Sequence, residues 1–374
     1  MLGFPFTTVI EVILVRIHAK ELEEGYILEK DIIGKSGKPI VKKQTVLTDE
    51  HIRFIHAFLV EHIHVSPKTV SGEVIHPSKH SVQDLDKNKS KAAIRTLYED
   101  TVYFMESHFK KWEQHLSIDM PAIRYQVLPL LERVEEDKEF LFSIQEYTAK
   151  EKYMYHHSVA VSMLATFLAR KAGCNRGESI QIGFAALFSD CGMTQVDAKI
   201  RTSNRRLNLH EIQLVHEHPL YSYRLVESVQ TMNQGAKVAV LQHHERLNGT
   251  GYPLGVQGKR IHPYAHIIAV CDVYHAMASD RPHQQKKSVY QICEELWYER
   301  DVTLKGSIVE TFVEEFAPLS IGDDVILSNS LRGKVVFKDP SNPLRPTIQL
   351  TDTSEICSLQ EDRSVYIESV CNLT

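Results

Sequence analysis

The sequence predicts a mainly α protein, in which a long helical region is flanked by a small β-rich amino-terminal domain and a small carboxy-terminal β module. Residues 1–65 hold short alternating runs of apolar and polar residues separated by turn-forming glycines. Residues 91–318 contain long stretches with apolar residues at three and four spacing, the period of an amphipathic helix. From 319 to 374 the strand and turn pattern returns, after Pro318.

The composition is that of a chain that buries hydrophobic cores. Its 374 residues are 43% hydrophobic and 24% charged, which excludes disorder for most of the chain. The 43 Lys and Arg residues against 48 Asp and Glu residues give a net charge of −5, so no nucleic-acid partner is expected. The six cysteines lack CxxC pairs and are expected to be reduced thiols of a cytoplasmic protein.

The amino-terminal segment is expected to form strands and one short helix. The apolar residues 4–17 are interrupted by Glu11 and Arg16, so they are expected to form a strand rather than a signal peptide or a membrane span. No membrane partner is therefore expected. Residues 47–50 resemble a helix start, and the helix is expected to run to about Leu59, before a strand near 63–65.

Residues 66–90 are rich in Ser, Lys, Pro and Asp and are predicted to be a linker. Helices are expected at 92–115, 120–147 and 155–172, and the helical pattern resumes as far as Phe316. Because the apolar stripes of residues 92–147 must be buried somewhere, a homodimer is one expectation.

The chain has 20 histidines, and those in the helical region form an ordered cluster with two aspartates. Imidazole nitrogens together with carboxylate oxygens are the ligands of Fe, Mn and Zn sites that activate water. A single buried histidine is more often a hydrogen-bonded core residue, and that interpretation is preferred for His216, His262, His266 or His275 taken alone. The ordered set is His156, His157, Asp190, His216, His218, His243, His244, His262, His266, Asp272 and His275.

One stretch combines paired histidines with a tight loop. His243 and His244 end an apolar helix, and residues 248–253 follow as Asn-Gly-Thr-Gly-Tyr-Pro. Two glycines around a threonine favour a tight turn that holds the chain against whatever the histidines bind. By composition alone this segment need be no more than a loop.

Residues 243–253 resemble the signature stretch of the HD-GYP family of cyclic di-GMP phosphodiesterases. The resemblance continues with His157-Ser158 upstream, His218-Pro219 between, and residues 269–274 and 279–282 downstream. It covers about residues 140–318 of the helical domain.

The resemblance implies an all-helical HD-type bundle that holds divalent metal ions, Fe or Mn, and hydrolyses cyclic di-GMP to pGpG or GMP. Two adjacent cations, about 3.5 to 4 Å apart, lower the pKa of a bound water and neutralise charge on the phosphorane. The implied ligands of the first metal are His157, Asp190 and Asp272, and those of the second are Asp190, His218, His243 and His244. The implied catalytic bridge is Asp190, and the implied substrate-binding residues are Gly251, Tyr252, Pro253 and Arg281.

The sequence departs from the family pattern at four positions. Ser189 replaces the histidine of the His-Asp pair, so the first metal keeps three of four ligands while the second keeps all four. Met193 replaces a lysine that contacts phosphate in the family, and Gln284 replaces a residue that is often basic. Tyr153 replaces the glutamate that helps some members to bind a third metal. One or two ions are therefore expected, with the second site the more secure.

Three functions fit these residues. The first is a cyclic di-GMP phosphodiesterase with impaired activity. The alternative is a catalytically silent regulator that binds cyclic di-GMP, or a signalling protein such as a GGDEF-type partner, through the loop of Gly251, Tyr252 and Pro253. The third is a hydrolase of another nucleotide phosphoester. The two flanking β segments carry no catalytic cluster in the sequence, and no ligand is assigned to them.

Overall fold

The computed structural model divides the chain into two compact units, Met1–Leu85 and Asp86–Thr374. The domain boundaries drawn from the sequence remain predictions. The residues that the structure describes are 15–18, 22–33, 39–57, 62–66, 68–72, 85–147, 152–203, 205–279 and 287–371.

The first unit contains two small antiparallel sheets and one helix. Strand β1 pairs with β4, and β2 pairs with β3. The helix and the last strand lie within about two residues of the predicted positions, whereas residues 4–14 of the predicted first strand lie outside the described residues. The elements are β1 (Val15–His18), β2 (Ile32–Ile33), β3 (Pro39–Val41), α1 (Asp49–Ala57) and β4 (His62–Val65).

The second unit begins with helix α2 (Leu85–Glu113), so the last residues of the predicted linker are helical. The predicted helix 120–147 was wrong as one element, because the chain forms α3 (Met120–Glu132) and α4 (Lys138–Phe142), followed by a 3-10 turn. Between them, the Asp137 side chain accepts a hydrogen bond from the Phe140 backbone at 3.0 Å and starts a new helix.

The apolar face of α2 packs into the core of its own chain. Tyr98, Met105, Phe109 and Trp112 are all fully buried there, together with residues of α3 and α5 (Tyr153–Lys171). These side chains of α2 are therefore covered within the chain itself, and the homodimer remains a prediction.

Helix α5 lies at the centre of the unit, since its residues 156–169 are all buried. Helix α6 (Arg176–Phe188) crosses it closely at Gly183, where an added Cβ would lie 2.1 Å from Thr166 Oγ1. The remaining helices surround this pair. They are α7 (Ala198–Arg201), α8 (Leu209–His216), α9 (His218–Val226), α10 (Gln234–Gln242), α11 (Pro263–Ala278), α12 (Val289–Glu299) and α13 (Gly306–Phe316).

Asparagine caps fix where several of these helices start. Asn175 and Glu178 form a reciprocal capping box at the start of α6, and Asn208 and Glu211 form another at α8. Asn233 accepts a hydrogen bond from the Ala236 backbone and begins α10. These local interactions set where the helices begin, and residues of the candidate site follow the opposite ends of α6 and α10. Among the described residues, no helix is both long and apolar enough to span a membrane.

The carboxy-terminal strands form one antiparallel sheet in the order β8-β7-β6-β5-β9. Its inward side chains, such as Val325, Val335 and Ile348, are buried in the same hydrophobic core as the helices. The predicted β module is thus present and packs with the helices as part of the second unit. The strands are β5 (Asp324–Leu327), β6 (Arg332–Phe337), β7 (Thr347–Leu350), β8 (Ile356–Ser358) and β9 (Ile367–Val370).

A buried arginine ties this sheet to α12. Arg345 donates to Glu294 Oε1 at 2.5 Å and to the carbonyls of Leu359 and Val365 at 2.8 and 3.1 Å. The substitution Arg345→Met is expected to destabilise the protein by about 3–5 kcal/mol, because it leaves a buried carboxylate and several carbonyls unpaired. Urea denaturation checks this, with the exposed Arg363→Met as the control. Equal unfolding midpoints for the two variants would contradict the prediction.

Candidate metal centre

The structure brings together all six metal-ligand candidates from the sequence. They converge from α5, α9 and α11 and from the residues that directly follow α6 and α10. In each of two sets, one nitrogen or oxygen atom per residue lies within 4.8 Å of the others. One set is Asp190, His218, His243 and His244, and the other is His157, Asp190 and Asp272.

Asp190 belongs to both sets because its two oxygens face different groups. Oδ1 lies 3.1 Å from His218 Nε2 and 3.7 Å from His243 Nε2. Oδ2 lies 3.3 Å from His157 Nε2. A carboxylate in this position is arranged to bridge two ions.

The imidazole rings of His218 and His243 present electron pairs to this carboxylate. His218 Nδ1 donates to the Val215 carbonyl at 2.7 Å, and His243 Nδ1 donates to the Val240 carbonyl at 2.8 Å. A carbonyl oxygen only accepts, so each Nδ1 carries the hydrogen and each neutral ring leaves Nε2 with a lone pair. The two Nε2 atoms lie 3.3 Å apart and both face Asp190. Three electron-pair donors that converge without a hydrogen between them fit a cation.

The set of His157, Asp190 and Asp272, which would hold the first metal, is smaller but also combines imidazole and carboxylate groups. His157 Nε2 lies 3.0 Å from Asp272 Oδ1, and His244 Nδ1 lies 3.5 Å from Asp272 Oδ2. Three protein ligands plus open positions are common where a metal ion acts catalytically. The residues present therefore fit a divalent metal at this place as well.

The protonation states favour metal binding. Burial raises the pKa of Asp190, but the adjacent His218 and His243 imidazoles outweigh it and hold the pKa well below its usual value. Burial likewise raises the pKa of Asp272, and the adjacent His244 and His157 bring the pKa below normal. Burial lowers the pKa of His244, and the neighbouring His243 lowers it further. Charged carboxylates and a neutral imidazole are the forms that coordinate metals.

Ser189 does not contribute to either set. Its hydroxyl donates to the Ala185 carbonyl at 2.9 Å, and its own carbonyl accepts a hydrogen bond from Ser222 Oγ at 2.6 Å. The hydroxyl is thus hydrogen-bonded to the last turn of helix α6. Met193 lies in the following 3-10 turn (Cys191–Gln195), where it offers no positive charge.

The Gly-Tyr-Pro loop contacts the histidine pair directly. An added Cβ at Gly251 would lie 2.4 Å from the His244 carbonyl, so this approach requires glycine. The Tyr252 ring stacks on His216, with centroids 3.8 Å apart and planes 7° apart, and its centroid lies 4.6 Å from that of His244. Burial raises the pKa of Tyr252, and the nearby carboxylates raise it further, which keeps the phenol neutral. Pro253 follows in the same loop.

Two residues at the site were not identified from the sequence. Glu245, which is only 2% exposed, accepts hydrogen bonds from the Leu254 and Val256 backbones at 2.8 and 3.1 Å and so supports the loop. Its position directly after the paired histidines was the available signal. His216 was preferred as a core residue, but it stacks on Tyr252. Arg281 and Gln284 lie outside the described residues, and their roles remain predictions.

The substitution Glu245→Gln is expected to weaken the loop. An amide has one oxygen where the carboxylate offers two, so one of the two backbone N–H groups faces another donor. A loss of about 1–3 kcal/mol of stability follows from a buried unsatisfied group. Thermal unfolding of this variant beside the exposed Glu361→Gln control measures it, and matching melting temperatures would refute the role.

The fold and the site together define a helical protein in which clustered His and Asp side chains surround a candidate metal centre. The family model described as an HD domain matches residues 141–305. Over 210 residues the chain is 29% identical to a cyclic di-GMP phosphodiesterase of Pseudomonas aeruginosa, covering 56% of this chain and 50% of that protein. The resemblance seen in the sequence is therefore confirmed over residues 141–305, which match the HD-domain model.

The chain is also similar to two other phosphodiesterases. The cyclic di-GMP phosphodiesterase PdeB of Borreliella burgdorferi is 24% identical over 214 residues, or 56% of each chain. The 3'3'-cGAMP-specific phosphodiesterase 3 of Vibrio cholerae is 31% identical over 136 residues, covering 36% of this chain and 29% of that protein. The chain thus spans about half the length, or less, of these curated relatives.

Proposed function

We propose that this chain is a metal-dependent phosphodiesterase that hydrolyses cyclic di-GMP to pGpG or GMP in the cytoplasm. The observation that carries the proposal is the convergence of imidazole lone pairs on Asp190, whose two oxygens serve two adjacent sets. When bound, a pair of Fe or Mn ions would activate a water and neutralise negative charge on the reacting phosphate.

The chain's own residues would divide the work. Asp190 would bridge the two ions and orient both. The more secure second ion would be held by His218, His243 and His244, and the first by His157 and Asp272. Because the side chain at position 189 supplies no ligand, we expect the first ion to bind more weakly. Its loss would lower the rate without removing the substrate loop.

The substrate would bind against the loop of Gly251, Tyr252 and Pro253, with Arg281 as the phosphate contact. Glu245 holds the loop through the backbone N–H groups of Leu254 and Val256, and the His216 ring stacks on Tyr252. Met193 leaves the position of the family's phosphate-binding lysine without charge, so transition-state stabilisation is expected to be weaker. Impaired activity is therefore part of the proposal.

A second candidate function is supported by Ser189. Its hydroxyl donates to the Ala185 carbonyl, and Ser189 belongs to neither set of metal-ligand candidates. If the first ion does not bind, the protein would act as a silent regulator that binds cyclic di-GMP, or a GGDEF-type signalling partner, through the same loop.

One experiment separates these candidates. Purified protein loaded with Mn or Fe is incubated with cyclic di-GMP and with 3'3'-cGAMP, while binding of each nucleotide is measured by calorimetry. Hydrolysis of cyclic di-GMP supports the first proposal. Binding without turnover supports the regulator, and turnover of 3'3'-cGAMP alone would assign a different cyclic dinucleotide as the substrate.

A further inference from the structure

A second group of side chains contacts Nδ1 of His157, the ring nitrogen that does not face Asp190. His157 Nδ1 is 3.1 Å from the Tyr153 hydroxyl and 3.0 Å from His275 Nδ1. The rings also pack together, with the Tyr153 and His157 centroids 5.3 Å apart and those of His157 and His275 5.0 Å apart. His275 is fully buried and His157 is 5% exposed.

We infer that Tyr153 and His275 are positioning residues that hold the His157 imidazole with Nε2 directed at Asp190 and Asp272. This inference rests on the proposed function, because it assigns the two residues a role toward the first metal. The geometry comes from helix spacing. Tyr153 and His157 are four residues apart on α5, and Asp272 and His275 are three apart on α11, so each pair shares one helix face.

Helix α11 therefore contacts both nitrogens of one ring. Asp272 lies 3.0 Å from Nε2, while His275 lies 3.0 Å from Nδ1. The group that contacts the second nitrogen of a metal-binding histidine fixes its tautomer and ring orientation, and such partners typically change metal affinity about 10 to 100-fold. The effect is expected to be large here because the first set has only three members.

The same observation explains the residue at position 153. The resemblance implies a glutamate at this position in those family members that bind a third metal. The tyrosine hydroxyl instead meets His157 Nδ1 and supports an existing ligand. We therefore infer that this chain uses the position to strengthen the incomplete first site.

The test compares Tyr153→Phe with Tyr155→Phe. The second variant removes a hydroxyl from the same helix, where the ring packs on Phe109 with centroids 5.3 Å apart. Mn affinity is measured by calorimetry, and the His157 tautomer in metal-free protein is measured by long-range proton–nitrogen NMR. For Tyr153→Phe we expect about 10-fold weaker Mn binding at the first site and a mixture of His157 tautomers. Tyr155→Phe is expected to match the wild type in both.

The NMR measurement keeps this inference separate from the proposed function. If the wild type binds no metal, the proposed function fails, while a tautomer mixture in Tyr153→Phe still supports the positioning role. If the wild type binds Mn, the inference is overturned when Tyr153→Phe changes neither the His157 tautomer nor the Mn affinity. If the wild type binds no Mn, an unchanged His157 tautomer in Tyr153→Phe overturns it. A second variant, His275→Gln, is checked for folding by circular dichroism and is expected to shift the same NMR signals. Unchanged signals in a folded His275→Gln protein would remove His275 from the role.

Discussion

Asp190→Asn is expected to remove the bound metal from the purified protein, whether the wild type holds one ion or two, and to lower cyclic di-GMP hydrolysis by at least about 100-fold. Partners outside the metal's own ligands already contribute about 10 to 100-fold in affinity or activity, and a shared ligand should contribute more. Asparagine offers one neutral oxygen, whereas the two oxygens of Asp190 face His157 on one side and His218 on the other. A single substitution therefore disrupts both sets.

The matched control is Asp119→Asn. Asp119 is exposed and accepts a hydrogen bond from the Ala122 backbone at the start of α3, a role that asparagine fills as well. Metal content by elemental analysis and initial rates are compared for the two variants. If Asp190→Asn retains the metal content and the rate of the wild type, the shared-carboxylate centre is disproved.

The sequence predicted the parts of the fold that depend on repeated apolar residues. The central helix was expected at 155–172 and is found at Tyr153–Lys171, because its buried residues set a long uninterrupted pattern. The carboxy-terminal strands were expected for the same reason, since the two-residue alternation of Val325 and Leu327 appears directly in their burial.

The failures lie where one local contact decides the structure. The apolar pattern continued from 120 to 147, but the Asp137 side chain caps a new helix at the Phe140 backbone and divides the segment. Residues 85–90 were placed at the end of the linker because of the Ser, Lys, Pro and Asp content of residues 66–90, and the linker boundary itself remains a prediction. They form the first turns of α2, where such residues are tolerated.

The candidate site was likewise predicted in part: the sequence indicated its ligand positions but not their surrounding contacts. Its six ligand positions followed from a resemblance in residue identity and order, and the structure brings them together. The stacking of His216 on Tyr252 depends on a contact between segments that are distant in the chain. The orientation of the Ser189 hydroxyl depends on which of several hydrogen-bond partners it takes. No spacing rule contains that information, so these features required the folded chain.

Ser189→His is expected to complete the first set and raise the metal content to about two ions per chain. Hydrolysis of cyclic di-GMP should rise at least about 10-fold, because an imidazole restores the missing donor beside Asp190. The control is Ser189→Gln, which adds similar bulk without a ring nitrogen. Both variants insert volume at a position that is 4% exposed, and each is expected to lose about 1–3 kcal/mol of stability through overpacking.

The comparison of these two variants with the wild type decides between enzyme and regulator. If the wild type already binds two ions and Ser189→His adds little, a water takes the place of the imidazole and the phosphodiesterase proposal stands. If only Ser189→His reaches two ions and gains activity, Ser189 is the residue that disables the first site, and nucleotide binding becomes the function of the natural chain. A gain of activity in Ser189→Gln as well would show that the missing imidazole is not the cause.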